Sequence, residues 1–287
     1  MKMTIEIKLP KFALLTVLPN DDFKNDWEGL VGIDDLKKQL LTYLYISVVN
    51  LKVKLWWLKH YKKIGKLPVD FRGRILFIGP TGTGKTTLAR GLADALSRKL
   101  NKRIYFVDLG VFRSKFIGAT SYNIMKLFEK VRELAEENVV VLFLDEFDTV
   151  ASTRDFEQQH EEIRTAVNTL IKELDKTKNK SVIIIAASNL EQHVDIAVKR
   201  RFDLIIRFNR PTRKQRFQLF KNFLSDFNFS EDDILKFAKR SKGFTPADIK
   251  RVIAGAISKA IREDRPLRRS DILQELRKTK PSGEYYD

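Results

Sequence analysis

The eight residues GPTGTGKT (79–86) combine three glycines with a lysine and a hydroxyl at fixed spacing. They stand between an apolar run of strand-like composition, RILFIG (74–79), and a helical pattern, KTTLARGLADALSRKL (85–100). That setting suits a phosphate chain. Glycines let successive backbone N–H groups turn toward one anion, and the helix that follows adds the positive end of its dipole. Lys85 supplies a cation for the β- and γ-phosphates, and the Thr86 hydroxyl is a ligand for Mg2+. Thr81, Gly82, Thr83, Gly84, Lys85, Thr86 and Thr87 are therefore the candidate ATP-binding residues.

A second run, VVVLFLDEFD (139–148), ends in acids. A strand of this kind delivers carboxylates to the end of a sheet where ligands bind. Asp145 is the candidate to hold Mg2+ through its water shell, and Glu146 to orient and polarise an attacking water. Phosphoryl transfer asks mainly for positioning and charge stabilisation, so this division suffices. A third run, SVIIIAAS (181–188), leads to Asn189, placed to hydrogen-bond the γ-phosphate or the water. The complete set argues against a nucleotide-gated scaffold, which could lose Glu146.

These groups need a scaffold that brings three strand ends together. RIYFVDL (103–109) and LIIRF (204–208) bring the apolar runs to five, and helical patterns at 85–100, 121–137 and 161–176 alternate with them. Near-continuous apolar strands alternating with helices predict an α/β fold, a parallel five-stranded sheet between helices. After Pro211 the strand signal stops, and helical patterns near 212–226, 230–241, 245–263 and 269–277 predict a small all-α lid. The expected division is a short, irregular N-terminal segment (1–26), a large α/β domain (27–208), the lid (209–280) and a frayed tail (281–287).

Composition narrows the classes. Hydrophobic residues make up 43%, enough for a core, and there is no cysteine, which excludes disulfides and thiol chemistry. HEEIR (160–164) has Arg164 where a zinc-protease helix needs its second histidine. The N-terminus has no secretory h-region, and the apolar stretch 40–58 contains two lysines, so one or two packed amphipathic helices are expected, with no membrane span and a cytoplasmic location. The net charge of +17 admits a nucleic-acid partner. The basic-aromatic stretch KLWWLKHYKKIGK (54–66) could stack bases, although Leu55, Trp56 and Leu58 at helical spacing read better as a core face.

From about 27 to 260 the chain resembles AAA+ ATPases, the P-loop NTPases of the clade that holds FtsH, katanin, spastin and the meiotic HORMA-remodelling ATPases. WEGLVGIDDLKKQL (27–40) is similar to the clade's opening segment, where Val31 and Gly32 would line the adenine pocket. GPTGTGKT resembles Walker A with Thr81 in place of the usual second proline, LFLDEFD resembles Walker B, and Asn189 stands at sensor 1. AVKRRFD (197–203) resembles the arginine-finger segment, which assigns catalytic roles to Arg200 and Arg201 beside Glu146 and Asn189. A buried arginine pair also asks for an anionic partner on physical grounds. GFTPADI (243–249) resembles sensor 2, with Pro246 and Ala247 where other clades carry arginine, so Ala247 is a nucleotide-contacting candidate.

The stretch SKFIGA (114–119) falls where the clade carries pore loop 1. Phe116 and Ile117 would grip polypeptide, since an exposed aromatic packs on almost any side chain. The resemblance thus implies an ATP-hydrolysing ring, a hexamer of identical chains, that pulls on a protein substrate through its pore, with recognition by the short N-terminal segment, the pore or an adaptor. No protease motif follows the ATPase region. The competing expectation is a nucleic-acid-directed ATPase, such as a helicase loader or viral replication motor.

Overall fold

Among the described residues six strands form the sheet: β1 (Leu14–Leu18), β2 (Arg74–Ile78), β3 (Ile104–Asp108), β4 (Val139–Leu144), β5 (Val182–Ser188) and β6 (Leu204–Arg207), in the spatial order β1-β3-β4-β5-β2-β6. The structure, a computed structural model, describes residues 13–61, 70–109, 120–147, 160–178 and 180–282. The five apolar runs expected to pair in parallel do so as β2 to β6. Every residue of β2, β4 and β5 is buried, which is why these strands read as unbroken apolar runs rather than as alternation.

The sixth strand corrects the sequence reading, which expects five and sets residues 1–26 apart. β1 lies antiparallel on β3, with Leu14 opposite Asp108 and Leu18 opposite Ile104. Helix α1 (Asp21–Glu28) follows and packs on α4 (Lys85–Leu100). Phe23 is buried edge-on against Phe106, with ring centroids 5.1 Å apart. Gly91 makes the fit possible: a Cβ there would stand 2.8 Å from the Trp27 backbone. From Leu14 onward the lead-in therefore packs as one more strand and helix of the α/β layer.

Helices cover both faces of the sheet. On one face α1, α2 (Asp34–Val48) and α4 pack on Ile75, Phe77, Phe106 and Phe143. On the other, α5 (Thr120–Leu134) and α6 (His160–Lys176) pack on Leu76, Val107, Leu142 and Ile184. Helix α3 (Asn50–Tyr61) continues from α2, so the apolar stretch 40–58 becomes two helices. Leu55, Trp56 and Leu58, expected on a core face, are instead about half exposed. Among the described residues no helix is long and apolar enough to cross a membrane.

The short α7 (Ile196–Lys199) precedes β6. Beyond it the lid has four helices, α8 (Arg213–Phe223), α9 (Glu231–Arg240), α10 (Pro246–Arg262) and α11 (Arg269–Lys278), around a core that includes Phe220, Phe237, Val252 and Ile272. The first three start on capping boxes, Thr212 with Gln215, Ser230 with Asp233 and Thr245 with Asp248, each satisfying otherwise orphaned N–H groups.

Candidate nucleotide site

Parallel pairing brings the carboxyl ends of β2, β4 and β5 to one sheet edge. β5 pairs with both neighbours, Ser188 opposite Ile78 and Ala186 opposite Leu144. The three segments that leave this edge carry GPTGTGKT, Asp145-Glu146 and Asn189, so Asn189 stands between the lysine and the acids.

The contacts are direct. Lys85 is buried, and its Nζ donates to Gly79 O at 2.6 Å, Pro80 O at 3.0 Å and Asn189 Oδ1 at 2.9 Å. These three neutral oxygens hold an ammonium where a phosphate would meet it. Thr86 Oγ1 donates to Asp145 Oδ2 at 2.8 Å, so two oxygen donors of the type Mg2+ prefers lie side by side. Asp145 Oδ1 accepts from the Glu146 N–H at 2.9 Å. Glu146 has φ +48°, a left-handed conformation uncommon outside glycine and found where surrounding structure imposes it, often at active sites. Gly79 is required by space: a Cβ would lie 2.2 Å from Phe208 O. Thr83 Oγ1 donates to Pro80 O at 2.8 Å and closes the loop.

The loop forms one wall of a cleft of about 730 Å³. The lid forms another. Ala247 N–H donates to Gly82 O at 3.3 Å, and a Cβ on Gly82 (φ +79°) would stand 2.9 Å from Ala247 Cβ and Thr245 Oγ1. The third wall is the segment after α1. Val31 lines the cleft and packs against the lid core. Lys37 holds this segment from behind, its Nζ donating to Trp27 O at 2.7 Å and Leu30 O at 3.1 Å, and burial lowers its pKa. Asp26 also lines the cleft; burial raises its pKa, opposed by the cations of Arg90 and Lys250.

Residues 75–210 match the family of ATPases associated with various cellular activities, AAA. Residues 75–210 carry an AAA domain. An uncharacterised AAA family ATPase of Sinorhizobium fredii is 32% identical over 225 residues, which are 77% of this chain and 65% of that protein. A pachytene checkpoint protein 2 homologue of Arabidopsis thaliana is 29% identical over 222 residues, 73% of this chain and 45% of that one. The chain thus spans less than two thirds of these relatives. Among solved structures, a chain of the E. coli MS115-1 HORMA:CdnC:Trip13 complex aligns with a TM-score of 0.82 and 26% identity, covering 94% of this chain and 95% of that chain. C. elegans PCH-2 shares the fold, with a TM-score of 0.74 and 23% identity over 93% and 75% of the two chains.

Within the AAA domain and its lid, Thr81 to Thr87, Asp145, Glu146, Asn189, Val31 and Ala247 meet at one cleft. Gly32 lies beside it in a smaller hollow. Its carbonyl accepts from Gln215 Nε2 at 3.2 Å, and its φ of +77° is a left-handed conformation that favours glycine. Arg200 and Arg201 line no part of the cleft. They also do not form the buried pair that the sequence suggests: in the turn after α7 one is exposed and the other only partly buried. Arg200 is exposed, and no hydrogen bond or ion pair engages its side chain among the described residues. Arg201 turns back: it pairs with Asp175 at 3.1 Å and donates to Ala197 O at 2.8 Å. Its carbonyl accepts from Arg74 Nη1 at 3.3 Å, while Arg74 Nη2 reaches Leu174 O and Thr177 O at 2.6 and 2.7 Å. Phe116 and Ile117 lie outside the described residues.

Sequence reasoning missed Lys37, Asp26 and Arg210 at or behind the cleft. Lys37 falls within a helical run of charges and reads as solvated surface; only its burial identifies it.

Proposed function

We propose that this chain hydrolyses ATP and works as a ring of identical copies, six in number, that remodels a protein. The observation that carries the hydrolytic reading is the convergence of Lys85, the Thr86–Asp145 pair, Glu146 and Asn189 at one sheet edge. Lys85 and the glycine loop would bind the phosphates. Mg2+, held by Thr86 and through water by Asp145, would neutralise phosphate charge. Glu146 orients a water in line with the γ-phosphorus and accepts its proton as the new P–O bond forms. The bond from phosphorus to the bridging oxygen breaks, and that oxygen leaves with ADP. Asn189 fixes the γ-phosphate or the water.

Support for the assembled state comes from Arg200, a solvent-facing cation on a chain whose own cleft it does not line. A second copy's γ-phosphate is the partner it suits, and an arginine supplied in trans is worth about 10³–10⁵ in rate. Arg201, tied to Asp175, holds the turn. The protein-remodelling part is supported by the likeness to a chain of the HORMA:CdnC:Trip13 complex and by Phe116-Ile117-Gly118 at the pore-loop position.

The test is ATP hydrolysis by the wild type and by Phe116→Ala, each alone, with an unfolded protein and with single-stranded DNA. Stimulation of the wild type by polypeptide, lost in Phe116→Ala while basal hydrolysis persists, is the expected result. Stimulation of both by DNA and of neither by polypeptide would turn the reading to a nucleic-acid motor.

A further inference from the structure

Ser282 follows α11, and all its polar groups are engaged. Its N–H donates to Asp248 Oδ2 at 3.1 Å, its hydroxyl donates to Asp248 Oδ1, and its carbonyl accepts from Arg210 Nη2. Arg210 Nη1 donates to Gly243 O. Arg251 Nη2 reaches Asp248 Oδ1 at 2.7 Å and Ser282 Oγ at 3.1 Å. Asp248 is fully buried and belongs to the capping box that starts α10, where it also accepts from Thr245 N and Oγ1, both at 2.9 Å.

These bonds close a circuit around the cleft. Arg210 follows β6, where the Phe208 N–H donates to Ile78 O at 2.7 Å, just before the phosphate loop begins. The loop's Gly82 touches Thr245 and Ala247. From there the path runs through Asp248 to Ser282, through Arg210 and back to β6. Arg210, Gly82 and Ala247 all line the cleft. The Ser282 backbone keeps its links to Asp248 and Arg210 whatever the side chain, but loss of the hydroxyl takes one donor from a buried carboxylate, which is costly enough to loosen the turn that carries it. Ser282 stands outside the apolar lid core, and its contacts are to the turn that starts α10.

We propose that Ser282 and Arg210 are positioning residues for nucleotide binding: they clamp the first turn of α10 against the phosphate loop, so the C-terminal segment sets the affinity for ATP. This rests on the ATP reading above. The test uses the full chain and the series Ser282→Thr, Ser282→Ala and Ser282→Asp, with ATP affinity from a fluorescent-nucleotide titration, KM and kcat from hydrolysis, and Tm. Thr keeps the donor and should match the wild type. Ala removes one bond to a buried charge and should raise KM about tenfold at unchanged kcat. Asp sets a second carboxylate against Asp248 and should raise KM further. If Asp fails to fold, the Thr and Ala pair decides. A flat KM across the series, with or without a fall in Tm, would overturn the proposal, as would a loss confined to kcat. A wild type that binds no ATP would instead overturn the ATP reading itself.

Discussion

Asp145 and Glu146 are adjacent carboxylates with different surroundings. Asp145 is fixed at both oxygens, by the Thr86 hydroxyl and by the Glu146 N–H. Glu146 is held in a left-handed backbone conformation by its neighbours, which turns its side chain away from the path a strand continuing straight would give it. A fixed acid suits a metal, and a separately aimed acid suits a water. Glu146→Gln keeps shape and hydrogen bonding but cannot take a proton. We expect it to bind ATP as the wild type does and to lose turnover by about 10²–10⁴-fold, the range of a general base. Parallel nucleotide titration and phosphate-release assays check this, and wild-type turnover in the variant would remove Glu146 from its role. Both acids were legible in the sequence because an apolar run ends on them. The backbone turn at Glu146 was not, since no residue there announces a positive φ.

At the scale of elements, the turn between α7 and β6 separates two neighbouring arginines that the sequence could only treat as a pair. Arg201 belongs to a brace with Asp175, Ala197 and, through its carbonyl, the buried Arg74. Burial lowers the pKa of Arg74, yet three carbonyls from two elements satisfy its guanidinium. Partly exposed ion pairs contribute at most about 1 kcal/mol, so Arg201→Ala should lower Tm by about 2–4 °C. Arg200→Ala should leave Tm in place. Thermal melts of the two variants side by side decide it, and equal shifts would erase the distinction. The parallel strands and the lid helices were readable from unbroken apolar runs and from capping residues. β1 was not, because five residues with Leu14 and Val17 exposed give neither a buried run nor a clean alternation. The exposure of Trp56 was equally hidden, since periodicity cannot say which apolar face finds a partner.

For the whole molecule, the question is whether one copy completes the site of another. Lys85→Ala removes the phosphate cation from a copy's own cleft and leaves Arg200 intact. Arg200→Ala does the reverse. Each should be inactive alone, and a mixture should regain ATP hydrolysis, because Lys85→Ala copies lend Arg200 to their neighbours. A mixture as inactive as its components would show that Arg200 does not act across copies. The sequence could suggest such an assembly only by resemblance. The chain's contribution is a cation that faces outward while its neighbour is tied inward.

The antiparallel strand at the sheet's margin has a consequence for where this chain can be cut. β1 occupies the outer row of amide and carbonyl groups on β3. A fragment beginning at residue 27, where the family resemblance begins, would lack that cover. The bare margin of β3 would then offer a ready template for a strand from any other chain. Copies could stick together through it, in an arrangement that owes nothing to nucleotide or to Arg200. Leu14–Leu18 act as a hem on the sheet, stitched to β3 along five residues.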